Sequence, residues 1–580
     1  MPNLSQLKRE RMLAFLQKIK DEHRDDDDML IALGEIESEL TSKKYGLVWE
    51  QHEEAVDVMM RDNIPVFTEV PEREITAAPG QDYNFILEGD NLHSLYLLSR
   101  THREKIDIIY IDPPYNTGKK NDEQSSGFIY DDQFVDDKDA FIHSKWLSFM
   151  KERLMIAKTL LAPDGVIFIS IGKEENAPLR MLCDELFGEK NLLGQLVRRT
   201  KTTSFRGNYF ALRLDYVLCY CTGKKAPSKF MDVVDECKYK KIETEGKYAG
   251  ERYKDDTAFY LSTLETRPNQ RYFVKCPDGE LVIPPGTTVP AIFSDAEKCI
   301  PANGDGVWRW EVEQYRAKKH YLSFKKTKTS PLLNQNGQKA HWNIYTKSYY
   351  CEKVNDGNIP TELMLDFINR NGSKEIKALG LDFSFPKPSE LIKYLIKITN
   401  KPQNITILDF FAGSGTTAHA VLELNASDNG TRQFILCTNN EKQICEKVTY
   451  PRVKTVITGK RLDGRKYSNG IPSNVKYYRT DFVAKDDEYL SDSLLEHTRE
   501  MIQLEHGVKI DGSQYLVVMS DEDADELQAH WSKYEDVKAI YASKDVLFTT
   551  EQNKLFAGVE IHTIPDYYFN FELKEVGETW

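Results

Sequence analysis

The stretch Ile106-Asp-Ile-Ile-Tyr-Ile111, followed at once by Asp112-Pro113-Pro114-Tyr115, leaves this chain few choices. The isoleucine-rich run has the pattern of a strand buried on both faces in a parallel sheet. Two consecutive prolines then supply no backbone N–H and hold φ at about −65°, so the strand has to stop there. What remains at its carboxyl end is a carboxylate, free carbonyls, a rigid turn and an aromatic ring. In an open α/β sheet that end is where ligands bind.

A second stretch, Ile405-Thr-Ile-Leu-Asp409-Phe410-Phe411-Ala412-Gly413-Ser414-Gly415-Thr416-Thr417, reads as another apolar strand, a turn of small residues and the start of a helix. Gly413 and Gly415 let the backbone pass close to a ligand, and the helix start presents free N–H groups. Such a turn alone is weak evidence. Paired with Asp112-Pro113-Pro114-Tyr115 in one chain it is strong. The two stretches resemble the catalytic and S-adenosylmethionine-binding motifs of amino-group DNA methyltransferases. The catalytic motif comes first and the other about 300 residues later, an order similar to the circularly permuted β class. The wording Asp112-Pro-Pro-Tyr-Asn-Thr-Gly118, the chain length and the flanking text are similar to modification (Mod) subunits of type III restriction-modification systems. The resemblance runs over roughly residues 45 to 460 and includes Tyr45 to His52, for which the residues give no mechanism beyond packing.

The resemblance implies an α/β, Rossmann-like S-adenosylmethionine-dependent methyltransferase core: a doubly wound sheet with permuted motif order, an inserted target-recognition domain and small terminal domains. Alternating strand and helix patterns from Asn84 to Val197 agree with such a sheet. The expected domains are a helical region at 1–75, the core at 76–197 and 346–470, the insert at 198–345 and a C-terminal α+β domain at 471–580 for dimerisation or partner docking. Between Lys119 and Asp139 lies a long polar loop, a kind of loop that is usually functional.

Asp112, Pro113, Pro114 and Tyr115 are the expected catalytic residues. An exocyclic amine on a base is a poor nucleophile because its lone pair is delocalised into the ring. Hydrogen bonds from the amine to Asp112 and to the Pro113 carbonyl favour its reactive form, and the prolines fix that geometry. Tyr115 can stack on the target base, which must leave the duplex to be reached. Transfer is expected to be direct and in line, with no catalytic metal. By resemblance the aspartate favours adenine N6; cytosine N4 is the alternative, and a catalytically silent DNA-binding subunit of a defence complex is another.

The cofactor site is expected to hold Asp409, Phe410, Phe411, Ala412, Gly413, Ser414, Gly415 and Thr416. Asp90 ends the strand that begins at Asn84; the resemblance implies that it binds the cofactor's adenine amine, and capping the next helix is the other, compatible reading. Lys387, in Pro386-Lys387-Pro388, approaches the cofactor carboxylate by resemblance, or is an ordinary turn lysine. Many relatives carry a ribose-binding acid where this chain has Thr438; Glu441 replaces it from the following loop, or Thr438 and Asn440 bind the ribose.

A net charge of −14 is awkward for binding double-stranded DNA, but a phosphate contact needs only one basic face. One basic window holds Arg198, Arg199, Lys201, Arg206, Arg213, Lys224 and Lys225 against Asp215; another holds Arg316, Lys318, Lys319, Lys325, Lys326 and Lys328. The nine cysteines have no zinc spacing and read as structural thiols of a reducing cytoplasm. No apolar run approaches the roughly 18 residues of a membrane span, and the N-terminus is charged rather than signal-like. The chain has no Gly-x-x-x-x-Gly-Lys phosphate loop, so DNA cleavage would need a separate ATP-dependent restriction subunit. Homodimerisation is implied by the resemblance alone.

Overall fold

The apolar runs lie side by side. The computed structural model describes residues 4–23, 26–41, 54–117, 142–203, 209–232, 234–262, 267–510, 512–534 and 536–577. Two expectations, for Tyr45–His52 and for the Lys119–Asp139 loop, fall outside them, as does Arg206.

An 11-stranded sheet forms the larger of two compact units, residues 1–228, 361–396 and 401–580. Its strands are β1 (Asn63–Glu69), β2 (Tyr83–Glu88), β3 (Ile106–Ile111), β4 (Leu161–Ile171), β5 (Leu192–Arg199), β6 (Leu214–Cys221), β7 (Leu363–Met364), β8 (Thr406–Asp409), β9 (Gln433–Thr438) and β10 (Asn474–Ala484), with a short strand at Ile75–Thr76 on β10. Their order is β1-β10-β2-β9-β8-β3-β4-β6-β5-β7. From β10 to β4 every pairing is parallel, whereas β1 and β6 run antiparallel to their neighbours. Ile106, Ile108, Ile109 and Ile111 are all fully buried, as a strand covered by helices on both faces requires. Leu95, Leu97, Leu98, Phe149, Met150 and Leu154, from the helices Asn91–Thr101 and Ile142–Leu160, join the same core. Each such side chain contributes about 1.5–3 kcal/mol on burial.

The topology sets the position of the site. β3 continues into its neighbour β4 on one side, and β8 continues into β9 on the other. The crevice between β3 and β8 is therefore a topological switch point, where open α/β sheets bind ligands. The register Ile108↔Ile407 and Ile109↔Leu408 brings the ends of both strands to one rim. Asp112 follows one strand and Asp409 ends the other.

The unit boundaries differ from those expected. Residue 198 falls inside β5, and β6, expected in the insert, is a core strand. Basic residues flank this apolar strand, so composition hid it. β10 takes an inner parallel place although it lies past 471, and β1 is a strand in the region expected to be helical. Neither shows a regular apolar alternation, and only partner strands decide where they go. Beyond β10, the C-terminal segment carries a parallel three-stranded sheet, Tyr515–Val518, Ala539–Ser543 and Glu560–Ile564, around Leu516, Ile540 and Phe556. At the other end the helices Leu4–Glu22 and Asp27–Thr41 are joined by Lys20–Glu37 at 2.5 Å.

The second unit comprises 229–360 and 397–400. A four-stranded antiparallel sheet (Leu322–Lys326, Trp342–Tyr349, Arg252–Ala258, Lys241–Ile242) packs with an aromatic core of Phe259, Tyr272, Trp308, Tyr315 and Trp342. Among the described residues no helix is long and apolar enough to cross a membrane.

Candidate active site

Asp112 leaves β3 as the first residue of the turn. Its Oδ1 is buried and has no hydrogen-bond partner among the described residues, while Oδ2 pairs with the ammonium of Lys387. Lys387, which reads as a partner of a cofactor carboxylate or as an ordinary turn lysine, lies on Asp112 and 4.9 Å from the centre of the Tyr115 ring.

The rest of the proline turn is fixed from three directions. Trp146 donates its indole N–H to the Pro114 carbonyl at 2.8 Å. Tyr115 donates its hydroxyl to Asp215 Oδ2 at 3.3 Å, and Asp215 is itself held by Arg198 at 2.8 and 2.5 Å. Burial, then the charges of Asp112 and Asp215, push the Tyr115 phenol well above its usual pKa, so it stays protonated. A β-carbon on Gly172, just past β4, would lie 2.8 Å from the Tyr115 ring, so only glycine lets that ring sit there. Asn116 adopts φ of +52° and donates to Glu175 Oε1 at 2.5 Å; His143 meets the same oxygen at 2.6 Å. Glu175 is fully buried, and burial raises its pKa against the pull of Asn116 and His143.

On the facing strand Asp409 does structural duty. Its Oδ1 accepts from the Phe411 N–H at 3.1 Å and its Oδ2 from the Thr417 hydroxyl at 2.5 Å, so it ties the turn to the helix Thr416–Asp428. Burial raises its pKa from 3.8 to about 7, against those two hydrogen bonds and with Asp112 adding to the rise. Phe410, Phe411 and Ala412 are buried; the Phe410 carbonyl accepts from Asn91 at 2.8 Å and the Ala412 N–H donates to Cys437 at 3.1 Å. Gly413 and Gly415 have φ of +48° and +75°, a left-handed path that favours glycine. Beneath them Arg452, fully buried, donates to Ser414 at 3.0 Å and Thr416 at 2.8 Å. Burial lowers its pKa to about 10, which still leaves it charged at neutral pH.

Asp90 caps the helix Asn91–Thr101 through the Leu92 N–H at 2.7 Å, and Arg153 reaches the same oxygen at 3.2 Å. Thr438 ends β9 opposite Glu88, and its hydroxyl donates to the Asn439 carbonyl at 3.3 Å. Glu441, expected in a loop, begins the short 3-10 helix Glu441–Gln443 and is exposed. Among the described residues no cluster of three or more His, Cys, Asp or Glu could hold a metal ion.

A profile of the DNA methylase family (N6_N4_Mtase) matches residues 106–449, which takes in both motifs. The chain belongs to that family. It is 31% identical over 400 residues to the type III restriction-modification enzyme StyLTI Mod subunit of Salmonella typhimurium, covering 63% of this chain and 54% of that one. It is 32% identical over 404 residues to the type II methyltransferase M.KpnI of Klebsiella pneumoniae, covering 68% and 87%. The EcoP15I Mod subunit of Escherichia coli is 28% identical over 516 residues, covering 80% and 75%. The matched region thus spans about half the length of the StyLTI subunit.

Several parts of this DNA methylase site were not readable from the sequence. Trp146, Glu175, Arg198, Asp215 and Arg452 stand far from either motif, and only folding brings them in. Arg198 in particular had counted toward a phosphate-binding face, yet it is fully buried and paired with Asp215. Lys224 of the same window is paired with Glu104. In the second unit Lys319 pairs with Asp295 at 2.6 Å and Lys325 with Asp255 at 2.5 Å, while Arg316, Lys318, Lys326 and Lys328 are exposed. Gly172 carried a usable signal: a glycine directly after a buried strand marks a close approach.

Proposed function

We propose that this chain is a sequence-specific DNA methyltransferase acting on adenine N6, with S-adenosylmethionine as methyl donor, and that it serves as the modification subunit of a type III restriction-modification system. The observation that carries this reading is the pairing, across one switch-point crevice, of a buried acceptor without a partner among the described residues (Asp112 Oδ1) with a braced left-handed glycine turn.

The residues present fit the cofactor. The turn from Phe411 to Gly415 is open to a ligand's close approach, Asp90 offers an acceptor for an amine, and Lys387 is a cation within reach of the reacting carboxylate. When bound, S-adenosylmethionine supplies an activated methyl group. Asp112 and the Pro113 carbonyl accept the two N–H bonds of the target amine and free its lone pair for attack. Tyr115, held by Asp215 and Gly172, gives the extruded base a face to stack on. Asp112 is also the nearest acceptor for the proton that the amine must lose. The exposed cations Arg316, Lys318, Lys326 and Lys328 are proposed to contact phosphates of double-stranded DNA. A cytoplasmic homodimer acting with a separate ATP-dependent restriction subunit is the assembly proposed; the names of the Mod relatives support its restriction-modification part.

Single-molecule sequencing of plasmid DNA treated with the purified protein and S-adenosylmethionine, beside a no-cofactor control, tests the reading. N6-methyladenine at one recurring sequence is the expected result. N4-methylcytosine would overturn the choice of base, and unmodified DNA despite cofactor and DNA binding would overturn the enzymatic reading.

A further inference from the structure

Lys387 stands beside the acceptor that the proposed chemistry reserves for the substrate. Its ammonium donates to Asp112 Oδ2, next to the Oδ1 that should accept from the target amine, and lies 4.9 Å from the Tyr115 ring centre. Stacked rings put their centroids roughly 4.5–7 Å apart, so this ammonium stands inside the volume a stacked base would fill. Cation attraction to the ring face and the charge of Asp112 both hold it there. The lysine side chain is only 10% exposed, unlike that of a surface lysine passing by.

Its backbone is anchored to the other half of the site. Pro386 and Pro388 flank it, and a β-carbon on Gly372 would lie 2.3 Å from the Pro386 carbonyl, so this segment is seated tightly. The Lys387 carbonyl accepts from the Thr416 hydroxyl at 3.4 Å, and Thr416 belongs to the glycine turn that Arg452 braces. One residue therefore touches the cofactor turn with its backbone and the catalytic carboxylate with its side chain.

We propose that Lys387 is a tethered stand-in for the target amine, which fills the base pocket of the free enzyme and leaves it only when an anionic group bound at the cofactor turn draws the ammonium away. The inference rests on the methyltransferase reading above and adds an order: cofactor first, base second. A lysine that serves only as a permanent counter-ion of Asp112 would impose no such order.

The test places 2-aminopurine at the target position of the sequence found by methylation mapping and follows its fluorescence, which rises when the base leaves the stack. With the wild-type protein, S-adenosylhomocysteine should raise the signal, whereas 5′-methylthioadenosine at saturation, which has no carboxylate, should leave it flat. K387Q and K387M should raise it with no nucleoside present, by about tenfold over the free wild type, the equivalent of about 1.4 kcal/mol. K387R should behave as wild type. Equal responses to the two nucleosides in the wild type would overturn the inference without any variant. So would a K387Q response that still depends on S-adenosylhomocysteine. Absence of any methyl mark in the mapping would instead count against the methyltransferase reading itself.

Discussion

Replacing Asp215 by leucine should damage the catalytic turn through a residue that touches no substrate. Arg198 is fully buried and Asp215 is 4% exposed. Burial works against the guanidinium's charge, but the hydrogen bonds and charge of Asp215 outweigh it and hold the Arg198 pKa above its usual range. Arg198 also donates to the Phe367 carbonyl at 2.7 Å and to Asn369 at 2.8 Å, so it would remain in place with its charge uncompensated. Breaking a buried pair from one side costs about 3–5 kcal/mol. With two acceptors left, the lower end applies, about 3 kcal/mol. Arg198→Met should cost about as much, since among the described residues Asp215 would keep only the Tyr115 hydroxyl. The double variant R198M/D215L removes both charges and should return to within about 1–2 kcal/mol of the wild type. Hydrogen exchange of the β5 and β6 amides reads the free energy of opening at this place, and the four proteins form a double-mutant cycle. A loss below about 1 kcal/mol in either single variant, or a double variant as unstable as the two losses added, would refute the account. The double variant also lacks an acceptor for the Tyr115 phenol. At this long distance we expect a kcat lower by about fivefold, the worth of about 1 kcal/mol.

Asp112→Ala should abolish methylation and spare DNA binding; turnover near the wild-type rate would dismiss Asp112 as the amine acceptor. Trp146→Phe removes the donor to the Pro114 carbonyl and should cost about 1–3 kcal/mol while lowering kcat more than it raises KM for DNA; an unchanged kcat would show that the turn needs no such brace. Asp409 predicts a pH dependence. Its folded pKa of about 7 lies above the ordinary 3.8, so the folded protein binds this proton more tightly than the unfolded chain. The associated stability is fully present below about pH 4 and is lost as pH rises through 7. Its ceiling is about 4 kcal/mol. Asp409→Asn should flatten that slope in thermal melts between pH 4 and 7, and an unaltered slope would assign it elsewhere. Changing Arg316, Lys318, Lys326 and Lys328 to glutamine should weaken binding uniformly across DNA sequences and lower its salt dependence; an unchanged slope of log affinity against log salt would remove these residues from the DNA face.

The two motif strands and their turns were legible in the sequence because each is local. An isoleucine run must be buried, two prolines must end it, and glycines at 413 and 415 must permit a left-handed path. Local patterns also gave Asp90 its cap, since Gly-Asp-Asn before a leucine run is a helix start whatever the surroundings. The edges of the core were not legible. β1, β6 and β10 become core strands only because partner strands accept their hydrogen bonds, and nothing in a short apolar run tells which sheet it will join. Charge was the least readable property. Two windows of basic residues each looked like one face, yet Arg198 points into the core and Lys224, Lys319 and Lys325 are matched by acids from other segments. The same holds for Lys387: its place between two prolines is written in the chain, but its place on Asp112, 275 residues away, depends on two strands meeting at the switch point. Sequence alone determined where the two motif turns lie, because strand, turn and glycine path are short-range constraints. Tertiary structure decided which charges are spent on holding the site together, because burial and pairing are properties of the packed whole.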